Sequence, residues 1–242
     1  MDKKATMKRS GGQCLKLGLL LVFSVVVSSG CVPRAGAPAG TPVPDPTAAA
    51  AELQRGSIPA GPRQAAFEWS LNEAGSRLSG RGVARFEAPE RLRLDLFGPR
   101  GETYLSGALV GDEFRVPTGA AGSVSLPSPT LLWGALGVVR PPSGAELLDA
   151  VATDEGTLVV RYRSAGGDTF EYHAAAAGAA PLLTRVARPA RGGVHEDLQL
   201  TRHAGGELAS TRYRDLAAYR ELVLTFESVT DATSFPPNIW SP

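Results

Sequence analysis

The chain has 242 residues, with 25 lysines and arginines against 24 acidic residues, three histidines and two cysteines. A formal net charge of +1 gives no electrostatic basis for binding nucleic acid, which requires a strongly basic surface. Two cysteines exclude a multi-bridge disulfide framework and a cysteine-rich metal site.

The first 30 residues have the order of parts that is typical of a bacterial secretory leader. Leu17–Val27 is apolar apart from Gly18 and Ser24, and is shorter than the roughly 20 residues that a membrane span requires. Small residues then lead up to Cys31. The basic residues that precede the apolar stretch are Lys3, Lys4, Lys8, Arg9 and Lys16. This order predicts a signal peptide over residues 1–30.

The segment Val27–Cys31, with the sequence VSSGC, resembles the lipobox of bacterial lipoproteins. The resemblance implies cleavage before Cys31 and covalent attachment of diacylglycerol and an N-acyl lipid to that residue; no other cofactor is expected. Cys14 would be lost with the leader, so Cys31 would be the single cysteine of the mature chain, and the thioether would remove a reactive thiol. The alternatives are an ordinary signal peptide followed by a chance cysteine, or an uncleaved anchor.

Removal of residues 1–30 would leave 20 arginines, 23 acidic residues and no lysine, a net charge of −3. In well-studied Gram-negative lipoproteins, aspartate after the lipidated cysteine favours retention in the inner membrane. Val32 occupies that position here, which implies a lipid anchor in the outer membrane with the domain facing the periplasm.

Residues 31–63 are rich in proline, alanine and glycine, which predicts a stiff tether after the lipidated cysteine. Within it, Thr47–Arg55 consists of good helix formers. We expect a short, weakly held helix there, capped by Thr47 and stopped by Gly56.

Residues 64–242 are expected to form one domain, because apolar and polar residues alternate along many short runs separated by glycine-rich turns. The alternation predicts a large curved antiparallel sheet in which sequence neighbours pair as a meander. Residues 128–136 and 143–151 interrupt the pattern, and Ser143 stands three residues before Glu146 as in a capping box. Both segments are predicted to be short helices that cover the apolar face of the sheet.

The run Arg91–Gly101 (RLRLDLFGPRG), preceded by Gly82–Phe86 and by the Phe67–Trp69 strand, resembles the first half of LolA/LolB-type lipoprotein-localisation proteins. The closing segment 235–240 is similar to the tail of uncharacterised lipoproteins in this group. The resemblance implies a mainly β fold, an unclosed β-barrel with a helical lid, whose apolar cavity receives acyl chains of lipids or lipoproteins. The residues implied to line that cavity are Phe67, Trp69, Leu92, Leu94, Leu96, Leu132, Trp133 and Leu136.

Motifs for catalysis and metal binding are weak. His195, Asp197 and His203 are possible metal ligands by residue type. On a strand only His195 and Asp197 share a face, so a third convergent ligand is missing, and polar residues on the solvent face of a strand are the simpler explanation. The sequence has neither a Gly-x-Ser-x-Gly nucleophile elbow nor a phosphate-binding glycine loop. We therefore expect no metal site and no enzyme activity.

Three hypotheses remain. The first is a membrane-anchored periplasmic lipoprotein that holds acyl chains, and its fixed anchor makes it closer in kind to LolB than to the soluble carrier LolA. The second is a structural lipoprotein with a filled core whose loops or edges contact an envelope protein partner. The third is a hydrolase whose site the sequence does not reveal.

Overall fold

A computed structural model describes residues 39–117, 126–177, 180–190 and 193–242. The predicted leader, Cys31 and the first part of the tether lie outside these ranges. Within them the chain forms a 13-stranded antiparallel sheet and two short α-helices, α1 (Pro46–Ser57) and α2 (Pro129–Ala135). The strands are β1 (Thr41–Pro42), β2 (Arg63–Glu73), β3 (Ser76–Glu87), β4 (Arg91–Phe97), β5 (Thr103–Val110), β6 (Glu113–Arg115), β7 (Glu146–Ala152), β8 (Thr157–Arg163), β9 (Thr169–Ala177), β10 (Ala180–Ala190), β11 (Gly193–Arg202), β12 (Leu208–Asp215) and β13 (Arg220–Asp231).

The sheet consists of two meanders joined by one long pairing. Strands β2 to β6 pair in sequence order, and so do β7 to β13. Strand β13 then pairs with β2, while β1 pairs with β7 at one edge and β6 forms the other edge. The predicted meander and unclosed antiparallel sheet are confirmed, and the additional feature is the β13–β2 pairing that brings the two ends of the domain together.

Alternation along the strands buries one face of the sheet, as predicted. Two hydrophobic clusters occupy this face. One packs around α1, β7 to β12 and Leu131; the other packs around β2 to β5, β13 and α2. The half-buried residues Ala135, Leu208 and Leu222 pack against both clusters. The described part of the chain thus has one continuous core, covered by helices on the concave side.

The prediction of a helix over residues 143–151 is wrong. Residues 146–152 form strand β7, which pairs with β8 on one side and β1 on the other. The Ser143 hydroxyl binds the carboxylate of Asp112 and does not cap a helix. Asp149 accepts a hydrogen bond of 2.7 Å from Nε of Arg161 on β8. Pairing with two strands outweighs the local helix signal, as tertiary context commonly does.

Helix α1 is longer and better held than the sequence suggests. Asp45, rather than Thr47, caps it by accepting a hydrogen bond of 2.9 Å from the backbone N–H of Ala48. Gly56 lies inside the helix. Leu53 is 1% exposed, and the helix packs against β10 and β7. The folded region therefore begins before residue 63, where the predicted tether ends.

None of the helices in the described ranges has the length and hydropathy needed to cross a bilayer.

A glycine sets the packing where β2, β3 and β4 lie side by side. Gly82 pairs with Phe67 on one side and Leu96 on the other. A Cβ at Gly82 would lie 2.4 Å from Cε2 of Phe67 and 2.9 Å from Cδ2 of Leu96. The aromatic ring therefore lies across the glycine, in space that a side chain would fill.

Replacing Leu53 by alanine tests whether α1 belongs to the folded domain. We expect Leu53→Ala to lower the free energy of unfolding by about 2–5 kcal/mol, because it opens a cavity beneath the helix. The measurement is urea unfolding, with exposed Glu52→Ala on the same helix as the control. Equal unfolding midpoints for Leu53→Ala and the wild type would contradict the packing of α1.

Replacing Gly82 by alanine tests the close approach of Phe67. We expect Gly82→Ala to destabilise the fold by about 1–3 kcal/mol, since the new methyl group forces the ring to move. Gly61→Ala is the control, because a Cβ there meets nothing within 4 Å. Thermal unfolding of the two variants gives the comparison, and a stable Gly82→Ala protein would count against this arrangement.

Candidate ligand-binding site

An apolar cavity of about 40 Å³ lies between the concave face of the sheet and the segment 126–136 that contains α2. Residues of β2, β3 and β4 line one part of it, and residues of β11, β12 and β13 line the adjoining part, across the β13–β2 pairing. We call this space the interior cavity. Its lining is almost entirely hydrocarbon, with Thr211 and Tyr213 as the polar members.

Six of the eight residues predicted to line a cavity lie around this one. Leu94 and Leu136 are half-buried, and the other four are buried. The six are Phe67, Leu92, Leu94, Leu96, Leu132 and Leu136. The structure thus brings residues from β2, β4 and α2 to one place.

Trp69 lies beside the interior cavity and not in its wall. Its indole N–H donates hydrogen bonds of 3.1 Å to the carbonyl oxygens of both Arg81 and Phe97. Its ring stacks on Tyr104 with 5.0 Å between centroids. Trp69 also lines a cavity of about 30 Å³ that shares Leu96 with the interior cavity. Because the indole bridges β3 and β4 where their pairing ends, its main role is to hold that end of the sheet together.

Trp133 does not line the interior cavity either. It is fully buried and meets Phe86 edge to face, with ring centroids 6.3 Å apart. Among the described residues its indole nitrogen has no hydrogen-bond partner. Trp133 anchors α2 to the sheet through apolar contact alone.

Packing, not intrinsic propensity, holds α2. A helix of seven residues is too short to be stable alone. Gly134 lets it approach the sheet, since a Cβ there would lie 2.8 Å from Cδ2 of Leu198. The hydroxyl of Ser128, the residue before the helix, is buried and finds no partner within the described ranges. The cover over the interior cavity therefore rests on hydrophobic contacts, with two polar atoms left unsatisfied.

The interior is nearly filled in this conformation. Pockets that hold small molecules typically measure about 300–1,000 Å³, whereas the interior cavity measures about 40 Å³. An acyl chain can enter only if side chains or α2 move outward.

Polar residues close one end of the interior. The Tyr213 hydroxyl donates a hydrogen bond of 2.5 Å to Oε1 of buried Glu196, and Arg188 binds the other oxygen of that carboxylate. Burial, together with the bond to Glu196, raises the pKa of Tyr213 well above its usual range. Arg220 pairs with Glu73 nearby on β2. These groups satisfy one another, so this end forms a polar plug rather than a binding site for a charged ligand.

The residues His195, Asp197 and His203, considered above as metal ligands, do not form a site together, and two of them contact arginines instead. Nδ1 of His195 lies 2.9 Å from Nη2 of Arg188, and Asp197 binds Arg185 and Arg214. His203 is exposed in the turn between β11 and β12. In the part of the chain that the structure describes, no three histidine, cysteine, aspartate or glutamate residues are grouped to hold a metal.

Sequence reasoning missed the part of the interior cavity wall that β12 and β13 contribute. Leu222 and Leu224 on β13, with Tyr213 on β12, form much of it. Their alternation predicts strands, but only the pairing of β13 with β2 brings Leu222 and Leu224 to the strand that carries Phe67.

Comparison with protein-family models found no match, and comparison with curated protein sequences found none either. Among solved structures, a LolA superfamily protein from Nitrosomonas europaea matches with a TM-score of 0.55 and 10% identity, over 80% of this chain and 98% of that one. A domain named for outer-membrane lipoprotein sorting, from Vibrio parahaemolyticus, matches with a TM-score of 0.49 and 12% identity, over 79% and 94%. A DUF1329 family protein from Desulfovibrio piger matches with a TM-score of 0.49 and 10% identity, over 81% and 98%. The fold implied by the sequence resemblance is confirmed: the domain shares its fold with the LolA superfamily protein from Nitrosomonas europaea.

Proposed function

We propose that this protein is a non-enzymatic lipoprotein, anchored to the outer membrane through lipid on Cys31, whose periplasmic domain binds acyl chains of lipids or lipoproteins. The observation that carries the proposal is the hydrocarbon lining of the interior cavity beneath α2. Burial of an acyl chain stabilises a complex by about 0.8 kcal/mol per CH₂ group, so such a site needs no polar recognition of the chain.

The segment 126–136 is the element best suited to make room for a chain. It contributes Leu126, Leu132 and Leu136 to the cavity wall, and α2 depends on packing for its stability. Outward movement of α2 would release Trp133 and Ser128 to water, and their buried polar atoms have no hydrogen-bond partner among the described residues. Hydration of these two polar atoms offsets part of the free energy lost with the apolar contacts of α2, and an acyl chain under the helix would replace much of the rest.

A second candidate is a structural lipoprotein with a permanently filled core, whose loops or sheet edges contact an envelope protein. The observation that favours it is the small volume of the interior cavity. Bound lipid distinguishes the two candidates, because a filled core would hold none.

The first test asks whether lipid co-purifies with the domain. The protein used is the chain that begins at Val32, which lacks the lipidated cysteine. We expect organic extraction and mass spectrometry to find acyl lipids, and a fluorescent fatty acid to bind. Leu94→Asn should reduce uptake of the probe several-fold, because a buried amide in the cavity wall disfavours hydrocarbon.

Leu78→Asn is the matched control, since this leucine also lies in a strand but its side chain faces solvent. It should leave uptake unchanged. Absence of both extracted lipid and probe uptake in a folded wild-type protein would reject acyl-chain binding and leave the filled-core candidate.

The second test concerns the anchor. Cys31→Ser should abolish incorporation of an alkyne-labelled fatty acid into the protein in cells, because the thioether cannot form. Cys14→Ser should leave incorporation unchanged, since that cysteine lies in the predicted leader. Equal labelling of Cys31→Ser and the wild type, measured by gel fluorescence after coupling, would reject lipidation at Cys31.

A further inference from the structure

A second pocket, of about 390 Å³, opens at the end of the sheet opposite to the Glu73–Arg220 pair. Its volume falls in the range of pockets that hold small ligands. Its apolar walls include Phe86, Leu136, Leu182, Leu183, Leu208 and Val229. We call it the Arg202 pocket, after the cation that lies in it.

Arg202 is a half-buried cation that forms no ion pair with an acidic residue of the described ranges. Its Nη1 donates a hydrogen bond of 2.8 Å to the carbonyl of Gly206, and its Nη2 a long one of 3.4 Å to the carbonyl of Leu183. Its Nε is buried and has no partner within the described ranges. Desolvation lowers the pKa of the guanidinium from its usual value, although an arginine stays charged in proteins.

The acidic groups near the pocket do not neutralise Arg202. Asp231 is taken by Arg63, the other arginine of the pocket, with 2.7 Å between Oδ1 and Nε. Glu207 is exposed, and its carboxylate folds back over Gly205, where a Cβ would lie 2.5 Å from Oε2. Glu207 lines the pocket too, but among the described residues no carboxylate forms an ion pair with Arg202, whose guanidinium has only backbone carbonyls as hydrogen-bond partners.

The pocket adjoins the interior cavity. Leu136, at the end of α2, lines both spaces. Gly137 follows with φ +79°, and a Cβ there would lie 3.0 Å from Nη2 of Arg202. The chain thus passes the guanidinium without a side chain to cover it. With Leu136 moved aside, a charged group at Arg202 and a hydrocarbon chain in the interior cavity would lie along one path.

We propose that Arg202 binds the anionic group of an acyl-chain amphiphile, either the carboxylate of a fatty acid or the phosphate of a phospholipid. This inference rests on the proposed function, because the chain of the same ligand would occupy the interior cavity. The free N–H groups of the guanidinium would make charge-assisted hydrogen bonds to the anion, which are stronger than neutral ones. The ligand would supply the ion pair that Arg202 lacks among the described residues.

The test uses the full chain in bacterial membranes and three photoactivatable, alkyne-tagged probes. These are palmitic acid, its uncharged methyl ester, and phosphatidylglycerol, each with a diazirine on the acyl chain. Labelling of the wild-type protein by at least one anionic probe should exceed labelling by the ester about tenfold, as expected for a charge-assisted contact. This comparison requires no variant.

Arg202→Gln should bring labelling by that anionic probe down to the level of the ester, and Arg202→Lys should restore part of it. Arg212→Gln, an exposed arginine on β12, is the control and should label like the wild type. Circular dichroism spectra verify that each variant is folded, and if Arg202→Gln does not fold, the comparison of acid and ester in the wild type decides alone.

Each outcome has one meaning. Preference for palmitic acid identifies a carboxylate ligand, and preference for phosphatidylglycerol identifies a phosphate headgroup. Equal labelling of the wild type by the ester and both anionic probes overturns the role of Arg202 but leaves acyl-chain binding intact. Absence of labelling by all three probes overturns the proposed function and this inference together.

Discussion

The pairing of β2 with β13 is the constraint on which the rest of this structure depends. It joins two meanders that would otherwise be separate sheets, and it extends from Arg220 opposite Glu73 to Asp231 opposite Arg63. An arginine–carboxylate pair closes the ladder at each end, and Phe67 meets Phe226 between them with ring centroids 5.8 Å apart. Ion pairs that are partly open to solvent contribute little energy, so the buried rings and the backbone ladder supply most of the stability, while the charges at the two ends favour this register.

The same pairing creates the interior cavity. Leu222 and Leu224 face Leu71 and Trp69 across the ladder, so the two meanders meet over one apolar space. Helix α2 is inserted between the meanders in sequence and covers that space from above. Hydrophobic contacts hold α2 on the sheet, and an acyl chain can replace such contacts with little loss of free energy. The polar plug around Glu196 and Tyr213, in contrast, is fully paired and keeps its end of the interior closed.

Local signals predicted much of this fold. Period-two alternation marked the strands, and the apolar run at 128–136 marked α2, because both patterns record burial directly. The pattern failed at Glu146–Ala152, where a capping-box motif competes with strand pairing, and at Asp45, where a helix cap falls just before the expected start. Long-range pairing was not readable: nothing local to Leu222 shows that it faces Leu71 across 150 residues of chain. Trp69 and Trp133 were assigned to the cavity because they are apolar, yet hydrogen bonds and close packing place them beside it.

Arg202 shows why a site can escape a search for motifs. It lies at the end of a strand, in a sequence that has no lysine after residue 30, and most of the described arginines have a carboxylate nearby. Only the folded arrangement distinguishes it. The guanidinium lies beside Leu183 and Gly137, and the nearby carboxylate of Asp231 pairs with Arg63 instead. A hydrocarbon interior alone accepts any apolar chain. A cation without an ion-pair partner beside that interior would favour chains that carry an anion, so on the proposed function Arg202 gives the site a means of choosing its ligand.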